Sequence, residues 1–219
     1  MKIVSFCLWG SDPKYTVGAL RNAELAKTVY PGWKCRFYCG SDVPNMIIFN
    51  LELFDNVELI HMNRPGDWTS MLWRAHPAAE EDVEVVISRD TDSRLNMREK
   101  EAVDVWLASE QGFHIMRDHP HHRYPVLGGM WGAKKGTVPL MKQLIEEFGG
   151  TDQYGTDYIF FQKKVLPTLR EDQILVHDEF FGGLTFPTSR KGDQFVGQVF
   201  DADENTIPEH TQILREALK

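Results

Sequence analysis

The 219-residue chain has only three cysteines, Cys7, Cys35 and Cys39, and an odd number cannot form a closed disulfide set. The Cys35-x-x-x-Cys39 spacing inside K-C-R-F-Y-C-G reads as strand, not as a redox or zinc motif. So little cysteine fits a reducing compartment, and a cytoplasmic location is expected. Positive charge is also in deficit: 24 Lys and Arg against 32 Asp and Glu leave a formal charge of -8. A general nucleic-acid binder needs a basic stripe to neutralise phosphates, so that class is excluded. A small phosphorylated ligand is not, because a bound cation masks carboxylates locally. Long apolar runs are absent: M-K-I-V-S-F-C-L-W meets G-S-D-P too soon for a secretory core or a transmembrane segment. There is no internal repeat, low-complexity stretch or linker. With no G-x-G-x-x-G opening a helix and no G-x-x-x-x-G-K-S/T, neither a dinucleotide fold nor a P-loop has its fingerprint.

What is present suffices for a core: 42% hydrophobic, 11% aromatic and 26% charged residues. Strands are expected at 2–9, 33–40, 57–62, 83–88, 113–116, 127–133 and 173–177. Helices are expected at 16–29, 67–79, from Asn96 onward, at 137–148 and 156–166, with a closing helix near 211–219. The alternation predicts one α/β domain over 1–219, with a central, mostly parallel sheet flanked by helices. V-E-V-V-I-S at 83–88 is nearly continuous in apolar character, as a central strand covered on both faces should be. Ligands of such sheets bind beyond the carboxyl ends of the strands.

That strand runs into R-D-T-D-S-R. On extended backbone Asp90 and Asp92 would point the same way and could present oxygens to one hard cation, with Mn2+ or Mg2+ the natural choices. His177, followed by Asp178 at another strand end, is a candidate further ligand. Read alone, the acids are equally a polar turn in which Asp90 serves as a cap.

V-V-I-S-R-D-T-D-S-R-L resembles the strand and D-x-D motif of nucleotide-sugar-dependent glycosyltransferases with the GT-A (nucleotide-diphospho-sugar transferase) fold. Three further blocks are similar in the same order: I-V-S-F-C-L-W-G with Tyr15, G-G-M-W-G-A at 128–133, and D-Y-I-F-F-Q at 157–162. The R-D-x-D-S-R, M-R-D-H-P and G-G-M-W-G blocks look closest to the small glycosyltransferase domains of chlorella viruses and related microbial proteins. The resemblance implies metal-dependent hexose transfer from a nucleoside diphosphate sugar, uridine-linked as in UDP-glucose, to a glycan or glycolipid. It implies that Asp92 binds the metal directly, that Asp90 binds it through water or contacts the ribose with Thr91 alongside, and that His177 completes the protein ligands. Ser5, Leu8 and Tyr15 would line the base and ribose pocket. A sugar-phosphate nucleotidyltransferase and a non-catalytic carbohydrate-binding module are the alternatives; the former normally has a glycine-rich, lysine-bearing loop where this chain has G-S-D-P-K-Y.

Other residues carry two readings each. Arg89 and Arg94 could orient sugar or phosphate, or pair with the acids. Arg74 could reach the diphosphate or be a surface arginine, while Trp73 reads as core. In M-R-D-H-P-H-H-R-Y-P, Asp118 could touch a sugar hydroxyl and His119 or His121 lie near phosphate. Zinc is disfavoured there, because His121 and His122 cannot easily share one tetrahedral ion. Gly128, Gly129 and Gly132 mark a bulge or a close approach. Asp157 is a helix cap or an acceptor-side general base, a role for which Asp178 and Glu179 also compete.

Overall fold

A computed structural model describes residues 1–219. Seven strands form one sheet: β1 (Lys2–Leu8), β2 (Lys34–Gly40), β3 (Val57–Met62), β4 (Val85–Ser88), β5 (Phe113–Arg117), β6 (Trp131–Lys134) and β7 (Ile174–Asp178). Their order is β3-β2-β1-β4-β6-β5-β7. All neighbours pair in parallel except β6, which is antiparallel to both β4 and β5. Helices α1 (Pro13–Val29), α2 (Asn45–Glu52), α3 (Met97–Leu107), α4 (Met141–Phe148), α5 (Thr156–Phe160) and α6 (Pro208–Ala217) flank it, with a 3-10 helix at Trp68–Ala79. This is the expected α/β architecture. No helix is long and apolar enough to cross a membrane.

The continuous apolar register of β4 has its expected cause. Val85 and Ile87 enter a core with α1 and α3, whereas Val86 enters a second core with the 3-10 helix, α4 and α5. Successive side chains of a strand face opposite ways, so a strand buried on both sides cannot keep a polar alternation. The three cysteines are buried and free, and burial raises each thiol to about 12, which leaves them unreactive at neutral pH.

Two elements depart from the expected spans. The strand expected at 127–133 begins only at Trp131; Leu127–Met130 is a turn closed by the Met130 N–H donating to the Leu127 carbonyl at 3.0 Å. The helix expected over 156–166 is α-helical to Phe160 and then widens to a π-helical turn at Phe161–Val165. Because β6 runs antiparallel to β4, its entry turn lies at the sheet edge where β1 and β4 end.

α1 is seated tightly on the loop after β4. A Cβ on Gly18 would lie 1.9 Å from the Thr91 carbonyl oxygen. Alanine in a helix normally gains about 1 kcal/mol over glycine. Here the clash is with backbone, so Gly18→Ala is expected to destabilise by about 1–3 kcal/mol, as overpacking does. Urea unfolding checks the sign.

Candidate functional site

A cleft of about 550 Å³ opens at the edge where β1 and β4 end. Its floor is Asp90-Thr91-Asp92, and its walls come from Leu8–Asp12, the 3-10 helix, the Leu127–Met130 turn and the start of α5. His119, His121, His122 and His210 line it from the C-terminal side. The acids are gathered by a turn rather than by extended backbone: Ser93 donates to the Asp90 carbonyl from its N–H at 3.3 Å and from its hydroxyl at 2.9 Å. The motif is thus a polar turn and also the floor of a cleft.

Two cations hold these acids. Arg74, buried on the 3-10 helix, bridges Asp90 and Asp157, reaching Asp157 Oδ2 at 2.8 Å. It is placed by the helix's own start, where Asp67 accepts from the Thr69 and Ser70 N–H groups and the Ser70 hydroxyl accepts from Asp67 N–H. Lys14, in the first turn of α1, lies 2.7 Å from Asp92 Oδ2. The glycines make room: a Cβ on Gly128 would meet Asp157 Oδ2 at 1.8 Å, and one on Gly129 would meet Asp90 Oδ2 at 1.9 Å. Only glycine allows the chain so close.

The charge is unevenly balanced. Burial and then the neighbouring charge of Asp90 raise Asp92 against the pull of Lys14. Asp157 is also raised, by burial first; Arg74 opposes this and Asp90 adds to it. Burial works to lower Lys14, but its hydrogen bond to Asp92 and that residue's charge outweigh it, so the net shift is upward.

No three His, Cys, Asp or Glu side chains converge closely enough to hold an ion by themselves. Asp90 and Asp92 nevertheless supply hard oxygen donors with crowded negative charge, and beyond Arg74 and Lys14 neither carboxylate has a protein hydrogen-bond partner. This set suits Mg2+ or Mn2+ completed by water and substrate phosphate, and not a cation caged by protein alone.

Of the residues named from sequence, Leu8, Tyr15, Arg74, Asp90, Thr91, Asp92, Asp157, His119 and His121 line the cleft. Others do not. Ser5 is fully buried within β1, so it cannot touch a nucleoside. His177 is buried against His114, with its Nδ1 2.8 Å from His114 Nε2, and is not part of the acid site. Asp118 is held inside by Arg98, Arg190 and the Val196 N–H, which leaves no oxygen for a sugar. Asp178 contacts Arg117 at 2.6 Å and accepts from the Phe180 and Phe181 N–H groups, so it caps a turn and does not serve as a base. Glu179 is bound to Arg98 and to the Phe186 N–H. Arg89 pairs with buried Glu99 at 2.9 Å, and Arg94 ties the motif to Glu204. Both arginines are scaffold.

Lys14, His210, Trp68 and Tyr154 belong to the cleft without having stood out in the sequence. Lys14 is the one with a local signal: it sits two residues after the α1 cap Asp12, in the first turn of the helix that follows β1. His210 lies in α6, and only tertiary structure brings it to the cleft.

The buried histidines make stability depend on pH. Burial and then Arg98 lower His177 to about 4 from 6.5, and burial foremost lowers His122 to about 3. A histidine depressed in the folded state binds its proton sooner when unfolded, so stability is full above the unfolded value near 6.5 and falls as pH drops toward 4. Melting temperatures across that window should fall, with a shallower slope in the His114→Leu/His177→Phe double variant.

No family model matches the chain, and no curated protein matches it. Solved structures do. A glycosyltransferase involved in glycosylation of the major capsid of PBCV-1 is 17% identical, with a TM-score of 0.53 covering 81% of this chain and 82% of that one. The fold is GT-A. The same GT-A arrangement relates the chain to a cytidylyltransferase from Leptospira borgpetersenii, 10% identical with a TM-score of 0.53 over 81% of this chain and 75% of that one. It also relates it to S. aureus TarS 1-349 in complex with UDP-GlcNAc, 11% identical with a TM-score of 0.52 over 88% of this chain and 63% of that one. At these identities the shared feature is the fold.

Proposed function

We propose that this chain is a GT-A glycosyltransferase that moves a hexose from a nucleoside diphosphate sugar, uridine-linked as in UDP-glucose, to a hydroxyl of a glycan or glycolipid. The observation that carries the reading is the crowded pair Asp90 and Asp92 on the floor of a cleft at the carboxyl end of β4. In open α/β sheets that is where ligands sit.

Asp90 and Asp92 would hold Mn2+ or Mg2+, with the donor's diphosphate completing the shell. When bound, the cation supplies positive charge for the diphosphate that leaves. Lys14 adds a second positive charge on the side of the cleft shared with Leu8 and Tyr15, where the nucleoside would lie. Arg74 fixes Asp90 and Asp157 relative to each other. Asp157, raised by burial, would accept the proton of the attacking hydroxyl by exchanging one of its present partners, Arg74 on Oδ2 or the Tyr158 N–H on Oδ1. His210 also lines the cleft; burial foremost and then His121 lower it, with Glu209 and Asp92 opposing.

One observation favours a second reading, sugar-phosphate nucleotidyl transfer: the first turn of α1, just after the β1 loop, delivers a lysine to the acids. The loop holds a single glycine, Gly10, which is poor for cradling a triphosphate. Product analysis separates the two. Incubation with UDP-glucose, Mn2+ and a pool of oligosaccharide acceptors should release UDP and extend an acceptor by one hexose. Pyrophosphate formed from UTP and glucose 1-phosphate, without acceptor extension, would establish the second reading instead.

A further inference from the structure

We propose that Trp68, Tyr154 and the stacked Tyr124–Tyr158 pair form a binding lip for the sugar end of a carbohydrate acceptor, seating a pyranose ring beside Asp157. The inference deepens the glycosyl-transfer reading and rests on it.

Three of these rings keep a substantial exposed face, although Trp68 also packs edge to face on Trp9 at 6.5 Å. Tyr154 is 74% exposed, Tyr124 42% and Trp68 38%. A contiguous exposed aromatic patch on a cleft rim marks a binding surface. It is built rather than incidental. Trp68 and Tyr154 meet edge to face at 5.4 Å, and Tyr124 and Tyr158 stack at 3.9 Å. Asp152 accepts the Trp68 N–H at 3.1 Å, joining the segment before α5 to the 3-10 helix. Gly155 has φ +86°, and a Cβ there would strike the Tyr158 ring at 2.1 Å, so glycine is what allows that tyrosine its position. Rings held in this way lose little entropy on binding, since tyrosine and tryptophan turn about only two side-chain bonds.

The chemistry of the lip selects its occupant. A pyranose has one face of C–H groups and a rim of hydroxyls, so it needs an aromatic plate with polar atoms at its edge. Here the plate ends at the Tyr154 and Tyr158 hydroxyls and the Asp157 carboxylate. Tyr154 lines the same cleft as Asp157, Asp90 and Asp92. On the proposed function the nucleoside would lie instead at Tyr15, beside Lys14 and Asp92. An acyl chain would want a continuous aliphatic groove, whereas Trp68, Tyr154 and Tyr158 of the cleft lining are aromatic and Leu8, Leu127, Met130 and Val199 come from other elements.

The test is saturation-transfer NMR, followed by titration, with oligosaccharides ending in glucose, galactose, mannose, fucose, xylose or N-acetylhexosamine. UDP with Mn2+ is titrated in parallel. At least one oligosaccharide should bind, and Trp68→Ala or Tyr154→Ala should weaken it about ten-fold while leaving UDP binding unchanged. Trp68→Phe, which keeps a ring, should restore most of the affinity, and Tyr154 is too exposed for its truncation to unfold the chain. The proposal is overturned if UDP binds but no oligosaccharide does, or if the variants bind oligosaccharides as tightly as the wild type. It is equally overturned if the variants lose UDP, which would make the rings a nucleobase platform. Oligosaccharide binding that depends on Trp68, with no UDP binding, would leave the lip standing and remove the glycosyl-transfer reading.

Discussion

Arg74→Met should destabilise the protein by about 3–5 kcal/mol, the usual cost of stripping one partner from a buried ion pair. For a chain of this size that lowers the melting temperature by roughly 10 °C. The cause is specific. Arg74 and Asp157 are both almost wholly buried, and removing the guanidinium leaves Asp157 charged with no counter-ion and Asp90 beside it. Methionine fills much of the volume, so the loss is electrostatic rather than a cavity. The pH dependence provides the check. With Arg74 gone, burial and Asp90 raise Asp157 against only the Tyr158 N–H, and a raised carboxyl favours the folded state at pH below its unfolded value. The deficit relative to wild type should therefore shrink as pH falls from neutrality toward about 4, the unfolded value, and change no further below it. A deficit independent of pH would mean that packing, not charge, is what Arg74 supplies.

Asp92→Asn is the second large effect, and it should fall on activity while leaving stability nearly untouched. Asparagine preserves shape and removes the charge that crowds Asp90 and pairs with Lys14. Turnover of a nucleoside diphosphate sugar should drop about 10³-fold, the scale of losing a main electrostatic contact to charge developing in the transition state. The melting temperature should hold or rise slightly, because the native state raises the Asp92 pKa and so disfavours its ionised form. Steady-state rates and a thermal scan on the same preparation separate the two effects.

The sequence shows β4 and its acids clearly because both are local signals. Unbroken apolar character marks a strand covered on two faces, and Val85, Val86 and Ile87 divide between the two cores accordingly. The Asp90–Ser93 segment after β4 is legible in kind but not in conformation, since a turn and a cation site draw on the same short polar residues. His177 shows where one-dimensional reading stops. It does end a strand running parallel to β4, as expected. Yet β7 is three places along the sheet, so His177 begins about 14 Å from the acids at the usual strand spacing. Only the strand order reveals this. Arg89 and Asp118 mislead for another reason: charge in a sequence reads as surface or site, whereas both are buried with partners, Glu99 for the first and Arg98 with Arg190 for the second. Those partners are separated widely enough in the chain, or lie on faces unknown enough, that pairing is invisible until the fold brings them together. The aromatic lip is hidden likewise, because Trp68 and Tyr154 meet across a gap of more than eighty residues.

The central claim is that Asp90 and Asp92 join a divalent cation to a nucleoside diphosphate. Calorimetric titration of UDP-glucose into the full chain, with Mn2+ present and then with the cation chelated, tests it most directly. Binding that requires Mn2+ and disappears in Asp92→Asn is the expected result. Equal binding with and without the cation, or none in either condition, would contradict it.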